Sequence, residues 1–368
     1  MSSAESFGPP DPSATGAPAI DWALAARIGA RLAPPEPAIP AESVAETVEA
    51  LRADAERSSG LVREFTGLHA VEHSAPVLVV DRRRWIEANT QSFGVMMQPF
   101  VDQLAQRRSG GPQAPEVLRR AGAAVGSRVT GAELGALLGL LSGKVLGQFD
   151  PFAPADVAPD GRLLLVAPNV WQVAEEIGAR HRDFRLWVCL HEETHRVQFT
   201  AVPWLRDHLR AQVEALAGTL DPSAVLGDGL SRVVEAVRGG GGGSIVDMLS
   251  TPDQKEIIDR VTGVMSLLEG HADVVMDGVG PGVIPTVKRI RRAFEQRRDG
   301  VGHLDRLLRR LLGLDAKMAQ YRDGAAFVRS VVDRVGMDDF NAVWSAPEAL
   351  PSRSEIADPD AWVARVLA

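Results

Sequence analysis

The chain has 368 residues, of which 45% are hydrophobic and 24% charged, and its formal net charge is −8 at pH 7. This length allows a large core, built as one elaborate domain or as two. The negative charge argues against a general nucleic-acid binder, which would need a basic surface. Cys189 is the only cysteine, so an intrachain disulfide is excluded, which is compatible with a reducing cytoplasm.

The N-terminal segment differs in composition from the rest of the chain. Residues 1–19 are rich in Ser, Pro, Gly and Ala and lack a basic start and an apolar run. They are therefore expected to form a disordered tail rather than a signal peptide. We expect a single domain over residues 20–368, with a helical N-terminal part (20–160) and a second part (161–368). The predicted location is the cytoplasm, and nothing in the sequence sets the oligomeric state.

Hydrophobic periodicity predicts the first helices and the first strand. Apolar residues at helical spacing indicate helices over Trp22–Leu32, Ser43–Arg57 and Trp85–Leu104, with Pro99 as a candidate break. The run Val77–Val80 is short and apolar, which is typical of a strand.

A first candidate metal motif lies at residues 69–73, which read HAVEH and match the HxxEH form of one metallopeptidase group. Gly67 lies just before this motif, Pro76 follows it, and no long apolar segment carries it inward. We therefore interpret it as a helix end or a loop rather than a metal site.

Glycine recurs every four residues from Gly131 to Gly147. The helix containing these glycines is expected to begin at Thr130, because Thr130-Gly131-Ala132-Glu133 has the form of a capping box. Such a stripe lets a second backbone come close. Glu133 and Lys144 bracket a stretch shorter than the about 20 residues that cross a bilayer. Tight helix packing inside a soluble domain is therefore predicted, without a membrane span.

The clearest predicted strand is Arg162–Val166, which contains four consecutive apolar residues. Asn169 and Gln172 follow it with the spacing of the N-cap and N3 residues of a helix. We interpret Asn169 as this cap rather than as a substrate-binding residue.

The stretch Asp183–Phe199 contains neither Pro nor Gly and has the length of a globular helix. Inside it, residues 191–195 read HEETH, an HExxH motif. His191 and His195 lie on one helical face, so both imidazoles can bind a single Zn²⁺ ion. Glu192 is then placed beside the metal, as the general base that takes a proton from a zinc-bound water.

The context of the motif supports a metal site. Leu186 to Leu190 are all apolar, so the two histidines are expected to emerge from a buried segment. Ionisable groups planted in a core helix need partners, and a metal ion is a common one. Cys189 in this segment is interpreted as a core residue rather than a ligand.

A third ligand is predicted beyond the five consecutive glycines at 239–243, which are expected to form a mobile linker. Thr251-Pro252-Asp253-Gln254 has the form of a helix start. The helix carries Glu269, the predicted third ligand, and Asp273 on the same face, where its carboxylate can accept the free N–H of a ligand histidine. His271 is the rival ligand, although about 200° of helical rotation separates it from Glu269.

Two further features lie in the C-terminal part. Tyr321 is the only tyrosine and is a candidate donor to the oxyanion of a hydrolytic reaction, as is His271. The alternative is that Tyr321 is a packing residue. The arginine-rich stretch Lys288–Arg310 is interpreted as a solvated face or a contact surface for acidic groups.

The HExxH motif followed by a helical Glu-x-x-x-Asp resembles the glutamate-type zincin metallopeptidases, in which two histidines and a glutamate bind zinc. The segments HEETHRVQFTAVPWLR (191–206) and LEGHADVVMDGV (268–279) are similar to an actinobacterial family labelled zinc-dependent metalloprotease or deazaflavin coenzyme biosynthesis-associated protein. The resemblance runs from about Ile20 to the C-terminus. One departure is that Glu269 lies 74 positions after His195, a longer gap than in thermolysin-like enzymes.

The sequence thus predicts a mainly α fold with a small β-sheet, containing a zincin-like core. The strand before the metal helix lies where zincin folds place a sheet whose edge strand can pair with an extended substrate. The predicted chemistry is hydrolysis of a peptide or amide bond in a peptide or protein substrate. Two alternatives stay open: a non-catalytic protein in which zinc holds helices together, and an amide hydrolase of coenzyme metabolism.

Overall fold

The computed structural model describes residues 20–70, 75–108, 116–219, 251–299 and 314–368. Helices dominate these residues, and a small sheet accompanies them, as the sequence predicted. The helices are α1 (Trp22–Leu32), α2 (Ala41–Thr66), α3 (Arg82–Arg108), α4 (Glu116–Ser142), α5 (Ala167–Glu176), α6 (His181–Ala201), α7 (Pro203–Thr219), α8 (Pro252–Val283), α9 (Val287–Asp299), α10 (Leu314–Phe340), α11 (Arg353–Ala357) and α12 (Pro359–Val366). The strands are β1 (Val77–Val80), β2 (Gly147–Asp150) and β3 (Arg162–Val166).

The three strands form one sheet in the order β1-β3-β2. Strand β3 pairs parallel with β1 and antiparallel with β2, and all five of its residues are buried. The two predicted strands, β1 and β3, are confirmed. Because β3 is central, its backbone is paired on both sides. Strands β1 and β2 are the two edge strands, and β2 is an edge strand that packs against α6.

Side chains of α3 and β3 hold β2 in place. Asp150 accepts a hydrogen bond from Nε of Arg162 at 3.0 Å and another from the hydroxyl of Ser92. The indole N–H of Trp85 donates to the side-chain carbonyl of Gln148 at 2.9 Å. These contacts fix β2 against α3, so its position relative to α6 is set by buried polar bonds.

The glycine stripe brings α4 against α1. A Cβ built at Gly135 would lie 2.4 Å from the carbonyl oxygen of Ala25, and one at Gly139 would lie 2.8 Å from that of Gly29. The predicted close approach of two backbones is therefore confirmed for the glycines within α4, whereas Gly143 and Gly147 lie beyond the end of that helix. The predicted helix start at Thr130 is wrong, because α4 already runs from Glu116. A capping sequence contributes only about 1 kcal/mol, which the continuing helical hydrogen bonds override.

Two other local predictions also fail. Strand β3 leads directly into α5, whose N-cap is Val166 without a side-chain cap bond. Asn169 is thus not the cap: it is fully buried, donates to the carbonyls of Ser142 and Val145, and accepts from Nε of Arg82. Helix α3 continues through Pro99 without the break considered from the sequence.

Helix α6 runs through the centre of the fold, packed against α2, α5, α8 and the sheet. The apolar run Leu186 to Leu190 is buried throughout, as predicted, and includes the thiol of Cys189. Helix α8 begins with the predicted capping box, in which the Thr251 hydroxyl accepts from the backbone N–H of Gln254. The start of α8 is therefore confirmed, and α6 and α8 lie side by side.

No helix within the described ranges is long and apolar enough to cross a membrane. The tail at 1–19 and the glycines at 239–243 fall outside those ranges, as do Glu72 and His73 of the HxxEH motif.

Candidate metal centre

Helix α6 presents the two histidines of the HExxH motif to one point. The Nε2 atoms of His191 and His195 are 3.3 Å apart, and the two rings are nearly perpendicular. Four residues advance a helix by about one turn, so the backbone itself brings the imidazoles together. The predicted pairing of the two side chains is present.

Helix α8 brings a carboxylate to the same point. Oε2 of Glu269 lies 3.6 Å from Nε2 of His191 and 3.8 Å from Nε2 of His195. Among the described residues, these three side chains form the group of metal-ligand type whose donor atoms all lie within 4.8 Å of one another. Glu269 follows His195 by 74 positions of sequence, so the group depends on the packing of α8 against α6.

The donor set fits a zinc ion. Nitrogen and oxygen ligands about 2.0–2.2 Å from a tetrahedral zinc lie about 3.3–3.5 Å from one another. The distance between the histidines falls in this range, and those to Glu269 are slightly longer. The side chains of His191, His195 and Glu269 are 27%, 13% and 22% exposed, so the site opens to solvent on one side. Three ligands and an open side are typical of catalytic rather than structural zinc sites.

Glu192 lies beside this group and is almost completely buried. Burial, and then the negative charge of Glu269, raise the pKa of the Glu192 carboxyl well above its ordinary value. A cation held by the neighbouring ligands would stabilise the ionised carboxylate. A buried carboxylate close to that of Glu269 is thus a second observation that fits a positively charged metal.

The other ring nitrogen of each histidine is also engaged. Nδ1 of His195 lies 2.9 Å from Oε1 of Gln198, and Nδ1 of His191 lies 3.2 Å from the sulfur of Met276. The sequence predicted this supporting role for Asp273, whose carboxylate lies 3.6 Å from Nη1 of Arg291. That prediction does not match these contacts, because Arg291 on α9 draws the carboxylate to its own side.

His271 occupies a different place from the one expected of an oxyanion donor. Its ring is fully buried, stacks on Phe340 and meets Trp344 edge-on. Nδ1 of His271 lies 2.9 Å from Nε2 of Gln198. Burial, with a smaller contribution from His195, lowers the pKa of His271 to about 3. This fully buried setting does not support a donor to substrate, and the catalytic role of His271 stays a prediction.

The remaining site prediction concerns Tyr321. Its backbone belongs to α10, and its side chain lies outside the described part of the chain. The role of Tyr321 as an oxyanion donor therefore stays a prediction.

Sequence reasoning missed three residues that contact the site: Gln198, Met276 and Gly147. Gln198 carried a usable signal, since it follows His195 by three positions and so lies on the same helical face. Gly147 was noted as the last member of the glycine stripe, but its contact is with Glu192 rather than with α1. Nothing in the sequence distinguishes Met276 from an ordinary core methionine.

A helix bearing HExxH, a glutamate from a second helix and a small sheet beside them are the features of the zincin class of metallopeptidase. A family model described as zincin-like metallopeptidase matches residues 20–363, and the chain belongs to this family.

The chain is also similar to a proposed hydrolase with a novel fold from Chloroflexus aurantiacus, whose crystal structure gives a TM-score of 0.66. The two chains are 31% identical, and the match covers 94% of this chain and 98% of the other. No curated protein sequence matches significantly. The family and the structural relative together support a zinc-dependent hydrolase.

Proposed function

We propose that the protein hydrolyses peptide or amide bonds at a zinc ion held by His191, His195 and Glu269, with Glu192 as the general base. The observation that carries this proposal is the convergence of the three ligand atoms on α6 and α8 with a buried carboxylate directly beside them. When bound, zinc supplies a Lewis acid that polarises the scissile carbonyl and lowers the pKa of a coordinated water to about 7.

The residues of the chain supply the proton transfers and the orientation. Glu192 accepts the proton of the attacking water and later returns it to the leaving amine. Glu192 directly follows His191 in sequence, so its carboxylate lies close to the ligands but off the helical face that His191 and His195 share. The buried environment limits access of bulk water to the carboxylate.

The sheet supports a peptide as the substrate. Strand β2 is at the end of the three-stranded sheet, and its first residue, Gly147, lies against the side chain of Glu192. An extended peptide that adds to this edge would therefore run past the general base. Main-chain hydrogen bonds would supply affinity, and the open side of the metal group would receive the scissile carbonyl.

The non-catalytic alternative requires a closed site with four protein ligands. Within the described part of the chain, His271 is a further histidine near the centre, and it is enclosed by Gln198, Phe340 and Trp344. The exposed sides of His191 and Glu269 also favour a site that receives a substrate.

The test compares wild type with Glu192→Gln at equal zinc content, using a broad peptide-library digest followed by mass spectrometry. The amide has nearly the same shape as the carboxylate but cannot accept the proton, so cleavage should fall by about 10²–10⁴-fold. Glu214→Gln makes the same chemical change at an exposed position of α7 and should retain full activity. Unchanged cleavage by Glu192→Gln would contradict the mechanism. A zinc-loaded wild type that cleaves nothing in the library would favour the structural alternative.

A further inference from the structure

Gln198 is a fully buried amide at the centre of the hydrogen bonds behind the metal group. Its Oε1 lies 2.9 Å from Nδ1 of His195. Its Nε2 lies 3.0 Å from the backbone oxygen of Leu268 and 2.9 Å from Nδ1 of His271. Every polar atom of this side chain thus has a partner, and one partner is a ligand histidine.

The chemistry of these partners determines which way the amide faces. The carbonyl oxygen of Leu268 can only accept a hydrogen bond, so the NH₂ group of Gln198 must point toward it. Oε1 then faces His195 and can only accept, which requires the proton of that imidazole to be on Nδ1. The lone pair of His195 is consequently on Nε2, the atom that faces His191 and Glu269.

The same amide connects the two helices that provide the ligands. Gln198 belongs to α6, one turn after His195, and Leu268 directly precedes Glu269 on α8. The bond from Nε2 of Gln198 to the Leu268 oxygen therefore fixes the ligand carboxylate relative to the ligand histidines. A hydrophobic residue of equal size would fill the space without making this hydrogen bond between α6 and α8.

His271 is the second acceptor for the NH₂ group of Gln198. Its Nδ1 accepts the second N–H of Gln198, so the proton of its ring is on Nε2, for which the described residues provide no hydrogen-bond partner. The ring is held between Phe340 and Trp344, and the Trp344 ring meets it edge-on at a centroid distance of 5.4 Å. Packing alone thus keeps His271 in position to accept from Gln198.

We propose that Gln198 is a positioning residue of the zinc site, with His271 and the Leu268 carbonyl as its anchors. It holds His195 in the Nδ1-protonated form before the metal binds. It also keeps the Glu269 carboxylate in position beside the two histidines. This inference rests on the proposed zinc site, and it adds a neutral amide where a carboxylate commonly supports a ligand histidine.

The first test needs no substitution at Gln198. Long-range ¹H–¹⁵N NMR of histidine-labelled, metal-free wild-type protein reports the tautomer of each ring, and His195→Gln assigns the His195 signals by their loss. We expect His195 to carry its proton on Nδ1 and His271 to carry it on Nε2. A His195 ring protonated on Nε2 would overturn the proposal.

The second test measures zinc affinity by competition with a chelator for wild type, Gln198→Leu and Thr194→Val. Thr194 is equally buried on α6, and its hydroxyl donates to the backbone oxygen of Leu190, so Thr194→Val is the matched control. Gln198→Leu should weaken zinc binding by about 10–100-fold and change the visible spectrum of the cobalt-substituted protein, whereas Thr194→Val should do neither. Wild-type affinity and spectrum in Gln198→Leu would overturn the proposal.

A parallel zinc titration of His191→Ala distinguishes a failure of the proposed zinc site from a failure of the positioning role of Gln198. If His191→Ala loses zinc while Gln198→Leu keeps it, the zinc site stands and the positioning role falls. If His191→Ala keeps zinc, the site itself is wrong, and with it the proposed function. Should Gln198→Leu fail to fold, the tautomer of His195 in the wild-type protein decides the question alone.

Discussion

Gly147 lies against Glu192 so closely that no side chain fits between them. A Cβ built at Gly147 would be 2.5 Å from Cγ and 2.8 Å from Cδ of the glutamate. The edge strand and the HExxH helix therefore meet through a residue without a side chain. This contact places the backbone that would receive an extended substrate next to the group that would take the proton from water.

Gly147→Ala should lower catalytic turnover while zinc content is retained. Because carbon atoms do not approach to 2.5 Å, either β2 or the Glu192 side chain must shift, and a displacement of about 1 Å can reduce the rate by about 10²-fold. Steady-state kinetics on a substrate found in the library digest would measure the loss. Gly126→Ala is the control, since a Cβ there meets nothing within 4 Å. Wild-type kinetics for Gly147→Ala would show that this contact does not position the base.

Glu269→Ala should lose far more zinc affinity than His271→Phe. The first change removes a ligand atom 3.6 Å from Nε2 of His191. The second removes only the acceptor for one N–H of Gln198 and leaves an aromatic ring between Phe340 and Trp344. Zinc competition titrations of both variants would establish the order. The reverse order would transfer the ligand role to His271.

The three residues of the candidate metal group could be predicted from the sequence, because the geometry of each is local to its helix. His191 and His195 are brought together by helical spacing alone, and Glu269 was selected because it is a carboxylate on a second apolar helix. Glu192 follows from the same motif. Only the packing of α8 against α6 had to be supplied by the fold.

The supporting contacts could not be predicted in the same way, because they cross between elements. Asp273 has the correct spacing from Glu269 to support a ligand histidine, yet Arg291 from α9 pairs with it. Asn169 has the correct spacing for a cap, yet its side chain bonds to Arg82 and to backbone at the end of α4 and beyond. In each case a local pattern was overridden by a partner that sequence spacing does not reveal.

Asp273→Asn should leave zinc affinity within a few-fold of wild type. Its carboxylate pairs with Arg291, which also contacts Asp277 at 2.8 Å. Asp277 forms a second ion pair with Arg329 of α10. These groups are partly exposed, so the substitution should cost about 0–1 kcal/mol of folding free energy. Urea denaturation and a zinc titration of the same preparation measure both quantities. A loss of affinity of about 10–100-fold would restore Asp273 to a role behind the ligands.

Zinc should stabilise the fold, because it links α6 to α8 and binds the folded chain through atoms that only folding brings together. For a ligand that binds only the native state, a free concentration 100 times the dissociation constant adds about 2.7 kcal/mol to the free energy of unfolding. Removing the metal with a chelator should therefore lower the urea midpoint, and restoring zinc should recover it.

His191→Ala should unfold at the same urea concentration with and without zinc, because it lacks one of the three ligands. Arg52→Ala, which removes an exposed ion pair with Glu49 on α2, should keep the full zinc-dependent increment. If zinc raises the midpoint of His191→Ala as much as that of wild type, the stabilising ion is bound somewhere other than at His191, His195 and Glu269.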